Sequence, residues 1–193
     1  MSTDTDSVEL VDDLTVGFIA QAALLAAFVG AGAYVSFPLP FSTVPVTLQV
    51  LGVFLAGIVL GPVWGTVSMV LYLAVGAIGV PVYAGGAAGL GTLVGSTAGY
   101  LWSYPVAAAL IGGIVHRGTD LRDPATVSVP VVVAALVVGT VVIYAGGVAG
   151  LMAVAGYGVE EAVSVGALVF LPGEAVKIAV ATGLARSGLL PTQ

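Results

Sequence analysis

Two opposite charges lie three residues apart in an otherwise apolar stretch near the end of the chain. Glu174 and Lys177 stand within VFLPGEAVKIAVATGLA, residues 169–185, and Lys177 is the only lysine of the sequence. Side chains at this spacing share one face of a helix, so both point toward one neighbour or one cavity. Because a carboxylate accepts hydrogen bonds and an ammonium group donates them, the pair suits a small polar or anionic solute.

The two residues before the pair bear on its role. Pro172 and Gly173 interrupt or restart a helix, because proline lacks the N–H that a helix interior needs. If the helix restarts there, Glu174 falls in the first turn, where the helix dipole favours a negative charge. Two interpretations remain open: the pair is a ligand site, or it is an ion pair that holds the last helix to its neighbours.

The composition of the chain indicates what surrounds this pair. Of the 193 residues, 59% are hydrophobic and 7% are charged, whereas soluble domains carry roughly 25% charged residues. The sequence therefore predicts an integral membrane protein. A lone lysine at mid-membrane costs about 2.5–3.5 kcal/mol, so we expect the pair to face the bundle interior or a cavity and not lipid.

Six apolar runs have about the length that a membrane helix needs, which is near 20 residues. The runs are continuous, whereas a membrane barrel requires alternation. We therefore predict an all-α integral membrane protein, a bundle of six transmembrane helices in which only Gly61 and Pro62 separate the second helix from the third. The predicted spans are residues 14–35, 47–61, 63–80, 97–115, 128–151 and 159–187.

The few arginines predict the orientation of this bundle. Arg117 and Arg122 lie between the fourth and fifth spans, and Arg186 lies at the end of the sixth. The positive-inside rule then places both termini in the cytoplasm, for a multi-pass protein of the plasma membrane. In this topology residues 36–46 and 80–96 lie outside. Both segments are too apolar for ordinary hydrated loops, so we expect them to be lids or walls of a cavity that opens outward.

The start of the chain is acidic. This composition predicts a flexible tail over residues 1–13, and it is unlike the basic start of a signal peptide. A transmembrane domain over residues 14–187 and a short tail over 188–193 complete the predicted organisation. The acidic residues of the first segment are Asp4, Asp6, Glu9, Asp12 and Asp13.

Several kinds of chemistry lack the residues that they need. The chain has no cysteine and a single histidine, His116, so we expect no metal site. There is no phosphate-binding loop with its lysine, so the chain alone is not expected to hydrolyse ATP. We expect His116 to lie at the membrane edge, and we predict no enzymatic activity, no cofactor and no nucleic-acid partner.

Residues 37–112 resemble the BioY family, the biotin-specific substrate-binding (S) components of energy-coupling-factor (ECF) vitamin transporters. The resemblance rests on the Pro-Leu-Pro-Phe entry, the Val-Pro-Val-Thr-Leu-Gln start of the second span, the Leu-Gly-Pro turn and the Gly-x-Pro-Val-Tyr-Ala-Gly-Gly segment. The later FLPGEAVK is similar to the family motif Phe-Leu-Pro-Gly-Asp-x-x-Lys. The family usually has aspartate where this chain has Glu174.

The resemblance implies a biotin site on the outward side, with Glu174 and Lys177 in contact with the head group. Biotin would be a ligand, and no cofactor is implied. Further candidates are aromatic residues for the apolar wall, polar residues at the start of the second span and backbone groups after the third. The aromatic candidates are Tyr83, Tyr100 and Trp102, the polar candidates are Thr47 and Gln49, and the backbone candidates are Gly85 and Gly86.

The resemblance also implies partners. S components of this kind use small residues on their first helix to meet a coupling membrane subunit, which works with two ATP-binding cassette subunits. Ala23, Ala27 and Ala31 have the spacing for such a contact or for packing inside the bundle. Two other functions stay open: an S component or carrier for another small anionic vitamin, and a structural subunit in which Glu174 and Lys177 form only an ion pair.

Overall fold

The computed structural model describes residues 13–39, 42 and 44–190. The predicted acidic tail therefore lies outside the described residues, apart from the helical backbone of Asp13. The last three residues of the predicted C-terminal tail also lie outside them. Within the described part, five helical segments are long and apolar enough to cross a membrane, so the prediction of an all-helical membrane protein is confirmed.

Six α-helices and one small strand pair make up the described chain. The helices pack in sequence order, with α2 against α1 and α3, and α3 against α4. Short 3-10 turns occupy the connections at 84–86, 92–94, 124–126 and 168–170. The elements are α1 Asp13–Gly32, β1 Ser36–Phe37, β2 Val46–Thr47, α2 Gln49–Ala77, α3 Ala98–His116, α4 Val129–Ala155, α5 Val159–Gly166 and α6 Leu171–Arg186.

The chain reverses direction inside α2. Gly61 has φ 69° and ψ −169°, a conformation that glycine adopts readily because it has no Cβ. A Cβ placed on Gly65 would lie 2.8 Å from the carbonyl oxygen of Ala56, although nine residues of straight helix would span about 13 Å. The two halves of α2 therefore lie side by side, as the predicted hairpin at Gly61 and Pro62 requires.

The predicted sixth span, residues 159–187, contains the helix restart that Pro172 and Gly173 allow. α5 ends at Gly166, and α6 begins at Leu171 after a 3-10 turn. Pro172 lies in the first turn of α6. Proline is tolerated there because backbone N–H groups in the first turn have no acceptor within the helix, so the missing N–H costs no hydrogen bond. The restart places Glu174 in the first turn of the new helix.

The connections cluster at the two ends of the bundle. At one end, which we call the cavity end, lie residues 33–39, 42, 44–48, 78–97 and 156–170. The Tyr34 hydroxyl donates to the Pro81 carbonyl at 2.5 Å, and the Ser42 hydroxyl donates to the Val165 carbonyl at 2.7 Å. The opposite end, which we call the basic end, holds Gly61 and residues 117–128, where the Arg186 guanidinium donates to backbone carbonyls of the 124–127 turn.

His116 is the last residue of α3, at the basic end of the bundle, and it is buried. Its side chain is 1% exposed, and its Nε2 lies 2.9 Å from the carbonyl oxygen of Ile58. That carbonyl has no helical partner, because the residue four positions later is Pro62. Nδ1 accepts from the backbone N–H of Arg122 at 3.0 Å, so Nε2 carries the proton and donates it to Ile58. The histidine thereby joins the reversal in α2 to the loop after α3.

Helices α3 and α4 approach closely where both carry glycine. A Cβ on Gly99 would overlap the carbonyl oxygen of Gly146 and would lie 3.2 Å from the Cα of Gly150. Small residues allow such contact between helices in membranes, where packing drives association. The close approach brings the first turns of α3 next to the end of α4 that faces the cavity.

We predict that Gly99→Ala destabilises the protein, because the added methyl group must push two backbones apart. Overpacking of this kind costs about 1–3 kcal/mol, which should lower the midpoint of thermal unfolding in detergent. Gly113→Ala, in the same helix, is the matched control, since a Cβ there meets no heavy atom within 4 Å. Equal midpoints for the two variants would contradict the close packing of α3 on α4.

Candidate functional site

A cavity of about 210 Å³ lies inside the bundle at the cavity end. Its walls come from the strand pair, the start of α2, the 78–97 connection, α3, α4 and α6. Both segments that the sequence predicts as cavity walls contribute to it. The lining residues are Val44, Pro45, Val46, Thr47, Gln49, Val50, Tyr83, Ala84, Ala87, Thr92, Thr97, Tyr100, Leu101, Tyr104, Ile143, Tyr144, Phe170, Glu174 and Lys177.

Glu174 and Lys177 form the polar floor of this cavity. They are 2% and 6% exposed, and among the described residues that line the cavity they alone are charged. The Lys177 Nζ donates to Glu174 Oε1 at 2.6 Å. The Tyr144 hydroxyl donates to the same oxygen at 2.9 Å. A buried charge needs a partner of opposite sign, and each member of the pair supplies it for the other.

The second carboxylate oxygen of Glu174 differs from the first. Oε2 is buried and has no hydrogen-bond partner among the described residues. Buried polar atoms are nearly always paired, so an exception calls for an explanation. An acceptor held without a donor at the edge of a cavity fits a ligand that brings an N–H or O–H group of its own.

Two of the predicted polar residues belong to a chain of hydrogen bonds at the start of α2. The Thr47 hydroxyl donates to Gln49 Oε1 at 3.0 Å, and Gln49 Nε2 donates to the Tyr72 hydroxyl at 2.5 Å. Tyr72 in turn donates to the Val82 carbonyl at 3.2 Å. Thr47 and Gln49 therefore line the cavity and also tie the strand pair to the 78–97 connection.

Tyr83 forms a second link between this connection and α2. Its hydroxyl donates to the Leu73 carbonyl at 2.6 Å, and its ring covers Gly76, where a side chain would overlap it. Burial raises the pKa of the Tyr83 hydroxyl, so it keeps its proton as a donor. The ring is held on the cavity wall by the bond at one end and by glycine beneath it.

Aromatic rings from three elements form the apolar wall above Glu174. Tyr144 stacks on Phe170 with ring centroids 5.8 Å apart, and Tyr100 meets Tyr144 edge-on at 6.0 Å. The Tyr100 hydroxyl donates to the Gly166 carbonyl at 2.6 Å. Sequence reasoning identified Tyr100 but missed Tyr104, Tyr144 and Phe170. Their signal was weak, because aromatic residues within apolar helices ordinarily pack in the core.

Three predicted residues lie away from the cavity. The prediction that Trp102 lines it is wrong: the side chain is 55% exposed, and its Nε1 donates to the Leu93 carbonyl at 2.9 Å. Trp102 is two residues from Tyr100 in a helix, so the two side chains cannot share a face. Gly85 and Gly86 form the tip of a tight turn and do not line the cavity, whereas Ala84 and Ala87 beside them do.

The predicted alanine stripe on α1 faces outward. Ala23, Ala27 and Ala31 are all exposed, so they do not pack inside the bundle. They line a separate groove of about 440 Å³ on the outside of α1 and α2, together with Tyr34 and residues of the 80–82 segment. The small side chains leave room there for a helix of another protein.

Comparison with known proteins identifies the group to which this architecture belongs. A family model described as the BioY family matches residues 4–190. The chain belongs to the BioY family. This agrees with the resemblance seen in its motifs, which covers both the segments around the cavity and the FLPGEAVK stretch that carries its charges.

Individual members of the BioY family agree with this membership. The biotin transporter BioY of Rhizobium etli is 36% identical over 174 residues, which cover 90% of this chain and 92% of the relative. That of Rhodobacter capsulatus is 43% identical over 170 residues, 83% of this chain and 86% of the relative. The crystal structure of an S-component for biotin from an ECF-type ABC transporter matches with a TM-score of 0.82 at 26% identity, covering 92% of this chain and 93% of that one.

Removal of one charge from the buried pair tests how much the pair contributes to the stability of this BioY-family chain. Lys177→Ala leaves the Glu174 carboxylate without its cation, and breaking a buried pair costs about 3–5 kcal/mol. We expect a clear drop in the midpoint of thermal unfolding. The double variant Glu174→Gln with Lys177→Met keeps similar volumes without either charge and should recover most of the loss. A wild-type midpoint for Lys177→Ala would contradict a buried, mutually stabilised pair.

Proposed function

We propose that this chain is the biotin-binding S component of an ECF-type transporter and captures biotin in the cavity described above. The observation that carries the proposal is the buried Glu174–Lys177 pair on the floor of an aromatic cavity, with one carboxylate oxygen that has no donor within the described ranges. The names of the BioY relatives and of the matching structure support it. They also favour a transport component over an enzyme.

The chemistry of biotin suits this cavity. Its cyclic urea offers N–H donors beside a carbonyl acceptor. In the proposed arrangement Glu174 Oε2 accepts one N–H, and the ammonium group of Lys177, which has three donors, gives one to the urea carbonyl. The apolar remainder of the bicycle packs on the rings of Tyr83, Tyr100 and Tyr144.

The proposed contact set keeps most of the residues expected from sequence. Glu174 and Lys177 bind the urea, while Tyr83 and Tyr100 form the wall. Thr47 and Gln49 hold the strand pair at the cavity and add polar groups at its edge. Gly85 and Gly86 are left out because they lie outside the cavity lining, and no cofactor or metal is part of the proposal.

We also propose the membrane arrangement. Counting the two halves of α2 as separate spans and α5 with α6 as one gives six spans over residues 14–187, with short tails at either side. Arg117, Arg122 and Arg186 belong to the basic end, which supports a cytoplasmic position for that end and for both termini. The cavity end then faces outward from the plasma membrane.

Active uptake requires partners, since the sequence lacks a phosphate-binding loop. We propose a coupling membrane subunit, docked on the groove that Ala23, Ala27 and Ala31 line, and two ATP-binding cassette subunits behind it. The exposure of this stripe favours intermolecular contact over internal packing. Nucleic acid is not among the proposed partners.

The first experiment is equilibrium binding of labelled biotin to the purified protein in detergent. Wild type should bind saturably, and Glu174→Gln and Lys177→Met should each weaken binding on the order of 10–100-fold, because each removes a charge-assisted hydrogen bond. Glu160→Gln is the control, since Glu160 is exposed on α5 and outside the cavity. Unlabelled vitamins of other classes serve as competitors.

Each result separates one function from another. No binding by monodisperse wild type would exclude the biotin assignment, and displacement by a different vitamin would support the second hypothesis, a carrier for that solute. Binding that survives both Glu174→Gln and Lys177→Met would leave the pair as a structural ion pair and move the site elsewhere.

A separate variant tests the proposed docking surface. Ala27→Trp fills the groove on α1 and should prevent co-purification with co-expressed coupling and ATPase subunits, while biotin binding stays within about twofold because the groove is separate from the cavity. Ala153→Trp, at an exposed position on α4, makes the same change elsewhere and should leave co-purification intact. Retention of the partners by Ala27→Trp would place the interface on another face.

A further inference from the structure

Tyr144 is the one side chain from another helix that donates a hydrogen bond to the Glu174 carboxylate among the described residues. It stands on α4, 30 residues before Glu174, and its hydroxyl lies 2.9 Å from Oε1. Lys177 donates to that same Oε1 at 2.6 Å. One oxygen therefore receives both of these donors, and the other, Oε2, receives none from the part of the chain that the structure describes.

This uneven division has a geometric consequence. Glutamate has three rotatable side-chain bonds, so an ammonium group that is its only donor can bond to either carboxylate oxygen. A second donor from a different direction fixes the plane of the carboxylate, because both donors are satisfied together only when Oε1 lies between them. Oε2 then has one position and keeps its acceptor capacity for a ligand.

Tyr144 is itself held in place by its neighbours. Its ring stacks on Phe170 with an angle of 19° between the planes, and Tyr100 packs edge-on against it at 85°. Tyr100 is anchored through its hydroxyl to the Gly166 carbonyl and occupies the space that a side chain on Gly147 would take. The donor to Glu174 thus sits on a rigid aromatic cluster that spans α3, α4 and the turn before α6.

We propose that Tyr144 is a positioning residue that sets which oxygen of Glu174 meets the ligand, and so makes the site selective for a ligand with an N–H donor at that point. The inference rests on the proposed biotin function. It assigns Tyr144 a role that acts through the carboxylate and is separable from its place in the apolar wall.

The test compares biotin and its two N-methylated isomers in three proteins. Biotin and biotin methylated on a ureido nitrogen, as each of the two isomers, are bound to wild type, Tyr144→Phe and Tyr100→Phe. Wild type should discriminate strongly against the isomer that lacks the N–H facing Oε2. In Tyr144→Phe biotin should bind roughly tenfold more weakly and the methylated isomer should change little, so the affinity ratio falls by about the same factor.

Tyr100→Phe is the matched control for a purely structural effect. It removes a hydroxyl from an equally buried ring of the same cluster, but that hydroxyl bonds to backbone and not to Glu174. Any loss in this variant should apply to both ligands alike and leave their ratio unchanged. If Tyr144→Phe is not monodisperse, Tyr144→Met removes the same hydroxyl with a flexible apolar side chain and carries the same expectation.

The outcomes are distinguishable. A ratio that falls in Tyr144→Phe and holds in Tyr100→Phe supports the inference. A parallel loss for both ligands in Tyr144→Phe, or an unchanged biotin affinity, overturns it while the biotin function stands. No biotin binding by wild type overturns the proposed function, and this inference with it.

Discussion

The desolvation of two charges is the constraint on which the rest of this structure depends. A carboxylate and an ammonium group taken out of water each cost several kcal/mol, which their attraction repays only with good geometry and added hydrogen bonds. Here α6 begins at Leu171, so Glu174 lies in a first turn whose free N–H groups favour a negative charge. Lys177 follows on the same face, and Tyr144 reaches across from α4. The helix restart and the aromatic cluster therefore both help to offset the cost of burying the pair.

The connections at the cavity end depend on the same site. The strand pair, the Thr47–Gln49–Tyr72 chain of hydrogen bonds and the Tyr83 ring all hold polar backbone near a cavity inside the bundle, where each unpaired group is costly. In a membrane protein, non-helical backbone is tolerated when it is buried in protein or lines a cavity, and these segments do both. Tyrosine suits this task, because its ring packs as an apolar surface while its hydroxyl reaches a carbonyl.

Sequence alone predicted the features that depend on local composition. Continuous apolar runs gave the helical membrane class, Gly61-Pro62 gave the reversal in α2, and the isolated charges led to Glu174 and Lys177. Contacts between distant segments were beyond its reach. His116 was expected at the membrane edge, and the sequence did not show that its ring is buried against the Ile58 carbonyl, which Pro62 leaves without a helical partner. Tyr144 and Phe170 could not be told from ordinary core residues. Tyr100 and Trp102 lie on different faces of α3, and only the packing of the helices shows which face lines the cavity.

The pairing of Glu174 with Lys177 has an electrical consequence. One carboxylate and one ammonium group together carry no net charge. A lone charge that crosses the full membrane gains or loses about 2.3 kcal/mol for a membrane potential of 100 mV. A pair with no net charge that moves the same way gains or loses none. Translation of this pair along the membrane normal is therefore insensitive to the membrane potential.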